Sequence, residues 1–124
     1  MKYSILIVDD TDIIRALIKE ILESSGYDIL EASSGKDALG IMSNKSVDLI
    51  ITDIFMPEMS GIELAIKIKS NFPQIKVLGI TAGGNQVTAN QALKMFANHF
   101  EYILSKPIDQ EELLDNVKYL LNID

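Results

Sequence analysis

The single carboxylate of Asp53 stands between the apolar run Leu49-Ile50-Ile51 and the turn-forming pair Met56-Pro57. Successive apolar residues are typical of a strand whose two faces are both covered, as in a parallel sheet flanked by helices. We therefore expect Asp53 at the carboxyl end of a buried strand, which is the edge where open α/β sheets bind ligands. Taken alone, Asp53 also fits an ordinary turn residue, because aspartate is common where strands end.

Two further carboxylates, Asp9 and Asp10, end the first apolar run of the chain. If the strands before Asp9 and Asp53 are neighbours in the sheet, three carboxylates share one crevice, and their burial and mutual repulsion favour a bound cation. Carboxylate oxygens suit Mg²⁺, with Ca²⁺ and Mn²⁺ as alternatives on ligand type alone. The simpler alternative is that Asp9 and Asp10 only complement the positive end of a helix dipole.

A hydroxyl and an ammonium end two later apolar runs, at Thr81 and Lys106. Each is ordinary by itself, since threonine is a common turn residue and lysine is usually a solvated charge. Together with Asp53 they form a set that contains a carboxylate nucleophile, a hydrogen-bond donor and a cation for oxyanion charge. This set is suited to phosphoryl transfer onto Asp53.

Five apolar runs alternate with helical patterns, which predicts an α/β fold made of five βα units in one domain over residues 1–124. The runs cover residues 4–8, 27–32, 47–52, 76–81 and 100–105. We expect a five-stranded, doubly wound parallel sheet. The strand order 2-1-3-4-5 is typical of flavodoxin-like sheets, and we expect it here by resemblance to that class. This order places the ends of the first and third strands side by side, so that Asp9 and Asp10 face Asp53.

The helices that follow these runs are predicted from helical spacing of apolar residues and from capping residues. The first should begin after a cap at Thr11 or Asp12. Its predicted buried face consists of Ile13, Ile14, Leu17, Ile18, Ile21 and Leu22. The remaining four are predicted to begin near Gly35 with Ser34 as cap, near Ser60-Gly61, near residue 86 and at Asp109. The fourth, residues 86–98, has the least regular apolar face, and we expect it to be the most mobile.

The composition excludes several classes of protein. The chain has 124 residues, a formal net charge of −7, no cysteine and 48% hydrophobic residues. The negative charge argues against a nucleic-acid partner, and the lack of cysteine excludes zinc ribbons and disulfide frameworks. The first apolar run is too short for a signal peptide, and no run approaches a membrane span. We therefore expect a cytoplasmic protein with neither a membrane nor a nucleic-acid partner.

The motifs as a set resemble the receiver domain of two-component response regulators, of the stand-alone chemotaxis type, over the whole chain. The matching elements are Asp9-Asp10, the stretch 53–57 followed by Ser60-Gly61, Thr81-Ala82 and Lys106-Pro107. The resemblance implies that Asp53 accepts a phosphoryl group from a histidine kinase or a histidine phosphotransfer protein. It implies a Mg²⁺ cofactor held by Asp10, Asp53 and the backbone carbonyl of Phe55, with Asp9 reaching the ion through water. Thr81 and Lys106 would bind the phosphoryl oxygens, and the Lys106-Pro107 bond would be cis.

The same resemblance implies a signalling module in which the fourth helix, the fifth strand and the fifth helix form a switchable face for a protein partner. The only chemistry expected is Mg²⁺-dependent self-phosphorylation and dephosphorylation at Asp53, and the protein would be a monomer or a phosphorylation-dependent dimer. Two positions depart from the family pattern. Ile103 stands where receivers often carry an aromatic switch residue, and His99-Phe100 stands where many have Gly-Ala.

Two other classes remain open from the sequence. Asp10-Thr11-Asp12 after an apolar strand, with Thr81 and Lys106 at later strand ends, also resembles the motifs of haloacid-dehalogenase-type phosphatases. That interpretation leaves Asp53 and Met56-Pro57 without a role, and no convincing acidic pair after Lys106 completes the metal site of that family. A flavin-binding domain of similar topology would need a phosphate-cradling loop after the first strand, where this chain is acidic.

Overall fold

The computed structural model describes residues 2–82 and 98–123 of the chain. The strands are β1 (Ser4–Val8), β2 (Asp28–Ala32), β3 (Leu49–Asp53), β4 (Lys76–Thr81) and β5 (Tyr102–Ser105). The helices are α1 (Asp12–Glu23), α2 (Gly35–Asn44), α3 (Gly61–Asn71) and the C-terminal helix (Gln110–Leu120). Among the described residues, none of these helices has the length and apolarity that crossing a bilayer requires.

The five strands form one parallel sheet in the order β2-β1-β3-β4-β5, which confirms the predicted strand order. β1 and β3 are direct neighbours, with Val8 opposite Thr52. The residues that follow these two positions are Asp9 and Asp53, so both lie at the carboxyl edge of the sheet. On the other side of β3, Asp53 pairs with Ile80 of β4.

Both faces of the sheet are covered, as the apolar run in β3 predicted. Ile50 contributes to one hydrophobic cluster, together with residues of α2 and α3, while Leu49 and Ile51 contribute to the other, together with residues of α1 and the C-terminal helix. All three side chains are fully buried. Burying an aliphatic side chain of this size contributes about 1.5–3 kcal/mol to the stability of the fold. The strand that ends in Asp53 is therefore held firmly in the core.

Three of the helices begin where they were predicted to begin, and Ser34 and Asp109 are the predicted caps of two of them. A side-chain oxygen of the cap residue accepts the backbone N–H three residues later at the start of α2, α3 and the C-terminal helix, which satisfies an amide that has no partner within the helix. The caps are Ser34 with Asp37 at 3.1 Å, Ser60 with Glu63 at 3.2 Å and Asp109 with Glu112 at 3.0 Å.

The prediction for α1 was wrong in two respects. Thr11 occupies the cap position, but its side chain accepts no capping hydrogen bond. Ile13 and Leu17 are 77% and 41% exposed, whereas the prediction placed them in the core. The buried stripe is centred on Ile18 and Leu22, and helical geometry places Ile13 more than a quarter turn away from that centre.

The predicted strand boundaries differ from the observed ones by two residues at most. β3 begins at Leu49 and includes Asp53, β2 begins at Asp28, and β5 begins at Tyr102. The predicted fourth helix falls outside the described residues except for Asn98, which lies in a turn.

A glycine in the middle of β4 makes room for an aromatic ring. A Cβ atom added to Gly79 would lie 2.9 Å from Cδ1 of Phe100 and 3.3 Å from Cδ1 of Ile54. Phe100 is only 2% exposed, so its ring fills the space that a side chain at position 79 would otherwise take. The approach to β5 is therefore packed by Phe100, at a position where the sequence departs from the receiver pattern.

Candidate functional site

Asp53 ends β3 with its side chain almost fully buried, at 7% exposure. Its Oδ1 accepts a hydrogen bond from the backbone N–H of Phe55 at 3.3 Å, and its Oδ2 lies 3.5 Å from Nζ of Lys106. The carboxylate is thus oriented on one oxygen by the following loop and on the other by a cation. Such an arrangement positions a carboxylate for reaction at the edge of the sheet.

The loop after β1 brings two more carboxylates to Asp53. Oδ1 of Asp9 accepts the backbone N–H of Thr11 at 2.8 Å, whereas Oδ2 is buried and accepts no hydrogen bond. Asp10 is exposed, and one carboxylate oxygen from each of Asp9, Asp10 and Asp53 lies within 4.8 Å of the others. Oδ2 of Asp9 has the ammonium of Lys106 beside it at 3.3 Å, but one ammonium among three carboxylates leaves negative charge that a further cation would balance. The three side chains therefore fit a hard divalent ion such as Mg²⁺.

The ends of β4 and β5 carry the hydroxyl and the ammonium. Thr81 is 1% exposed, and its carbonyl accepts the backbone N–H of Lys106 at 2.8 Å, which holds the two residues at one edge. Nζ of Lys106 lies 3.3 Å from Oδ2 of Asp9 as well as 3.5 Å from Asp53. The Lys106-Pro107 bond is cis, as predicted.

The environment of Asp53 changes its acidity. Burial raises the pKa of Asp53 to about 6; the ammonium of Lys106 opposes that rise, and the carboxylate of Asp9 adds to it. Removing a carboxylate from water disfavours its ionised form, which is why burial dominates over the nearby cation. Asp53 remains mostly ionised at pH 7, but it is more basic than an ordinary aspartate.

The loop that follows Asp53 is held close to β3 by a glycine. The backbone N–H of Gly61 donates to the carbonyl of Ile54 at 2.7 Å. A Cβ atom at this position would collide with the carbonyl oxygen of Asp53 and lie 2.8 Å from Cα of Ile54, and both are backbone atoms that cannot yield easily. Gly61 therefore allows the start of α3 to pack directly against the residue that carries the site.

The same loop contains a strained residue, Glu58, with a φ of 65°. This left-handed conformation is unfavourable for residues with a Cβ atom and is adopted freely by glycine. We expect Glu58→Gly to raise the free energy of unfolding by about 1 kcal/mol, because the strain relieved exceeds the additional chain entropy of glycine. Chemical denaturation measures this change.

Gln74→Gly provides the control, since Gln74 is also an exposed loop residue and is not among the described residues with a positive φ. That variant should lose stability, as glycine only adds flexibility there. A loss of stability in Glu58→Gly as well would contradict the assignment of strain to this residue.

All of the side chains proposed from the sequence lie at one edge of the sheet. These are Asp9, Asp10, Asp53, Thr81 and Lys106. Phe55 is in the loop that follows Asp53, where its ring is half exposed and its N–H contacts Asp53. Its carbonyl as a metal ligand stays a prediction. Arg15, which contacts the backbone of Asp9, was not singled out from the sequence; its one sequence signal is the helical i, i+3 spacing from Asp12.

Comparison with known proteins agrees with this geometry. The family model described as the response regulator receiver domain matches residues 5–118. The transcriptional regulatory protein SrrA of Staphylococcus aureus is 36% identical over 121 residues, which are 98% of this chain and 48% of that protein. The chain therefore spans about half the length of the curated relatives it matches.

Solved structures of similar fold cover nearly the whole chain. The response regulator protein TrrA from Thermotoga maritima, in complex with Mg²⁺-BeF, is 34% identical with a TM-score of 0.84, covering 97% of this chain and 99% of that one. A CheY-like receiver domain protein from Methanospirillum hungatei is 28% identical with a TM-score of 0.86, covering 98% and 95%. These matches favour neither the phosphatase nor the flavin-binding alternative. The chain belongs to the receiver domain family of the response regulators of two-component systems.

Proposed function

We propose that this chain is a phosphorylation-activated signalling module of a two-component or phosphorelay system. In this proposal Asp53 accepts a phosphoryl group from a cytoplasmic histidine kinase or histidine phosphotransfer protein. The observation that carries the proposal is the buried, raised-pKa carboxylate of Asp53 beside Lys106 and within reach of Asp9 and Asp10. Membership of the receiver family supports the same chemistry.

The transfer is a substitution at phosphorus. An Oδ atom of Asp53 forms a new P–O bond while the P–N bond of the phosphohistidine donor breaks, and the electron pair of that bond goes to the imidazole nitrogen. The raised pKa makes the ionised carboxylate of Asp53 a stronger nucleophile than an ordinary aspartate at the same pH. No other reaction is proposed beyond slow hydrolysis of the same acyl phosphate.

Charge on the phosphoryl oxygens needs cations and donors that are already in place. Lys106 is 3.5 Å from Asp53 and would pair with an oxygen of the incoming group, and the hydroxyl of Thr81 would donate to another. Asp9, Asp10, Asp53 and the carbonyl of Phe55 would hold Mg²⁺, which when bound neutralises charge on the phosphoryl oxygens. The related protein TrrA has been solved in complex with Mg²⁺-BeF, which supports such a site.

The output is proposed to be a protein contact made by β5, the C-terminal helix and the segment that precedes β5. Tyr102 in β5 and Tyr119 in the C-terminal helix are 37% and 78% exposed, and aromatic side chains are enriched at protein interfaces. Phosphorylation replaces the single charge of the Asp53 carboxylate by a phosphoryl group with about two negative charges and three acceptor oxygens, which would draw Thr81 and Lys106 inward and alter this face. Partner binding would involve a monomer or a phosphorylation-dependent dimer.

The direct test is chemical phosphorylation. With Mg²⁺ and acetyl phosphate, intact-protein mass spectrometry should show the addition of one phosphoryl group, and the adduct should be released by hydroxylamine, as acyl phosphates are. Asp53→Asn should remove the adduct. Asp115→Asn, which changes an exposed carboxylate of the C-terminal helix, should leave it intact. An adduct that persists in Asp53→Asn would overturn the proposal.

A further inference from the structure

Arg15 lies under the loop that carries Asp9 and Asp10, although it is not one of the site residues described above. Its side chain is only 14% exposed, which is low for an arginine. Nη1 donates to the backbone carbonyl of Asp9 at 2.5 Å, Nη2 pairs with the carboxylate of Asp12, and Nε lies 3.5 Å from Oε1 of Glu31. One guanidinium thus joins the end of β1, the first turn of α1 and β2.

The contact between Arg15 and Asp9 is made at the backbone of the loop that carries both acidic side chains. The carbonyl of Asp9 belongs to the peptide group between Asp9 and Asp10, so holding it in place restrains the two Cα atoms from which both acidic side chains extend. The backbone N–H of Thr11 already holds one carboxylate oxygen of Asp9. Arg15 provides the second restraint, because it holds the backbone from which both acidic side chains extend.

The planar guanidinium is suited to this task in a way that lysine is not. Its N–H groups point in fixed directions and can serve several acceptors at once, whereas a lysine ammonium is a single flexible point charge. The three acceptors of Arg15 come from three separate elements, and two of them are carboxylates. The negative charges of these two carboxylates offset the positive charge of the guanidinium. Arg15 therefore acts on the loop mainly through the fixed directions of its hydrogen bonds.

We propose that Arg15 is a positioning residue for the metal site, which presents Asp9 and Asp10 to a divalent cation by fixing the peptide group between them. This inference rests on the Mg²⁺ site of the proposed function. Residues that orient metal ligands typically change metal affinity about 10- to 100-fold when they are replaced. We expect Arg15→Lys and Arg15→Met each to raise the dissociation constant for Mg²⁺ by about 10-fold or more.

The measurement is a Mg²⁺ titration of the unphosphorylated protein, followed by the amide chemical shifts of the β1–α1 and β3–α3 loops. Lys19→Met is the matched control. Lys19 is also on α1 and lies 3.3 Å from the same Glu31, but none of its hydrogen bonds reaches Asp9 or Asp12 in the described residues. Lys19→Met should keep the wild-type affinity, and Arg15→Lys, which keeps the charge but not the fork of donors, should not.

Thermal unfolding without Mg²⁺ separates a structural role from a positioning role. If Arg15→Lys lowers the melting temperature but binds Mg²⁺ like the wild type, the inference is overturned. It is also overturned if Lys19→Met weakens Mg²⁺ binding to the same degree, since the cause would then be the charge of α1. Should Arg15→Met fail to fold, Arg15→Lys alone carries the test. A wild-type protein that binds no Mg²⁺ would instead contradict the metal site of the proposed function.

Discussion

Replacing Lys106 by Met is expected to lower the free energy of unfolding at pH 7 by about 3 kcal/mol in the absence of metal. Lys106 has its ammonium within 3.5 Å of both Asp9 and Asp53, and the side chains of these two residues are 1% and 7% exposed. Removing one partner of a buried ion pair leaves charge without compensation, and that loss is usually larger than the net contribution of the intact pair. The partial exposure of Lys106 places the expected loss at the lower end of the usual range. Urea denaturation measures it.

Making the same substitution in the Asp53→Asn protein tests whether uncompensated charge causes this loss. In the Asp53→Asn protein one of the two uncompensated charges is already absent, so Lys106→Met should cost less there, although Asp9 remains. Lys118→Met removes an exposed lysine of the C-terminal helix and should change stability little. An equal loss for Lys106→Met in both backgrounds would show that the side chain matters for packing and not for charge.

Asp53→Asn by itself is expected to raise the free energy of unfolding of the metal-free protein at pH 7 by about 2 kcal/mol. Burial raises the pKa of Asp53 to about 6 from an ordinary value of 3.8, so the ionised carboxylate costs stability in the folded state. The shift corresponds to about 3 kcal/mol at full strength, and we expect a smaller gain because the buried amide of asparagine also needs hydrogen-bond partners. Neutral asparagine avoids this cost, and it also lacks the carboxylate that the proposed phosphorylation needs.

The pH dependence has a definite sign. Because the pKa is raised on folding, the folded state binds the proton more tightly, and the stability from protonated Asp53 is fully present below pH 3.8. That stability is lost as the pH rises through about 6. The wild type should therefore lose about 2 kcal/mol relative to Asp53→Asn between these two pH values.

Denaturation curves at several pH values check this difference. Asp115→Asn removes the same formal charge from an exposed position and should follow the wild type across the whole range. A constant difference between wild type and Asp53→Asn at all pH values would contradict a raised pKa at Asp53.

The strands and the edge of the site were predictable from the sequence because their signals are local, whereas the strand order followed from the fold class that the motifs resemble. The apolar run before Asp53 identifies a strand covered on both faces, and the short motifs at the other strand ends identify the family. Parallel strands with alternating helices then bring Asp9, Thr81 and Lys106 to the same edge. Each of these steps depends on neighbours in sequence and on general rules of topology.

Other features depend on tertiary contacts that periodicity does not contain. Ile13 fits an apolar helical pattern, yet it lies outside the stripe that meets the sheet. The positive φ of Glu58 is imposed by the closure of its loop, and glutamate carries no signal for it. The three contacts of Arg15 join elements whose separation in space becomes known only once the sheet is assembled.

The fit of Phe100 against Gly79 also has an evolutionary consequence. The ring and the missing side chain share one volume, so neither position is free to change alone. Among related receivers the two positions should therefore covary, with a small residue at the position of Phe100 wherever a branched side chain replaces Gly79. A chain that acquired valine at position 79 while keeping the ring would be overpacked, and selection should favour a second substitution that shortens residue 100.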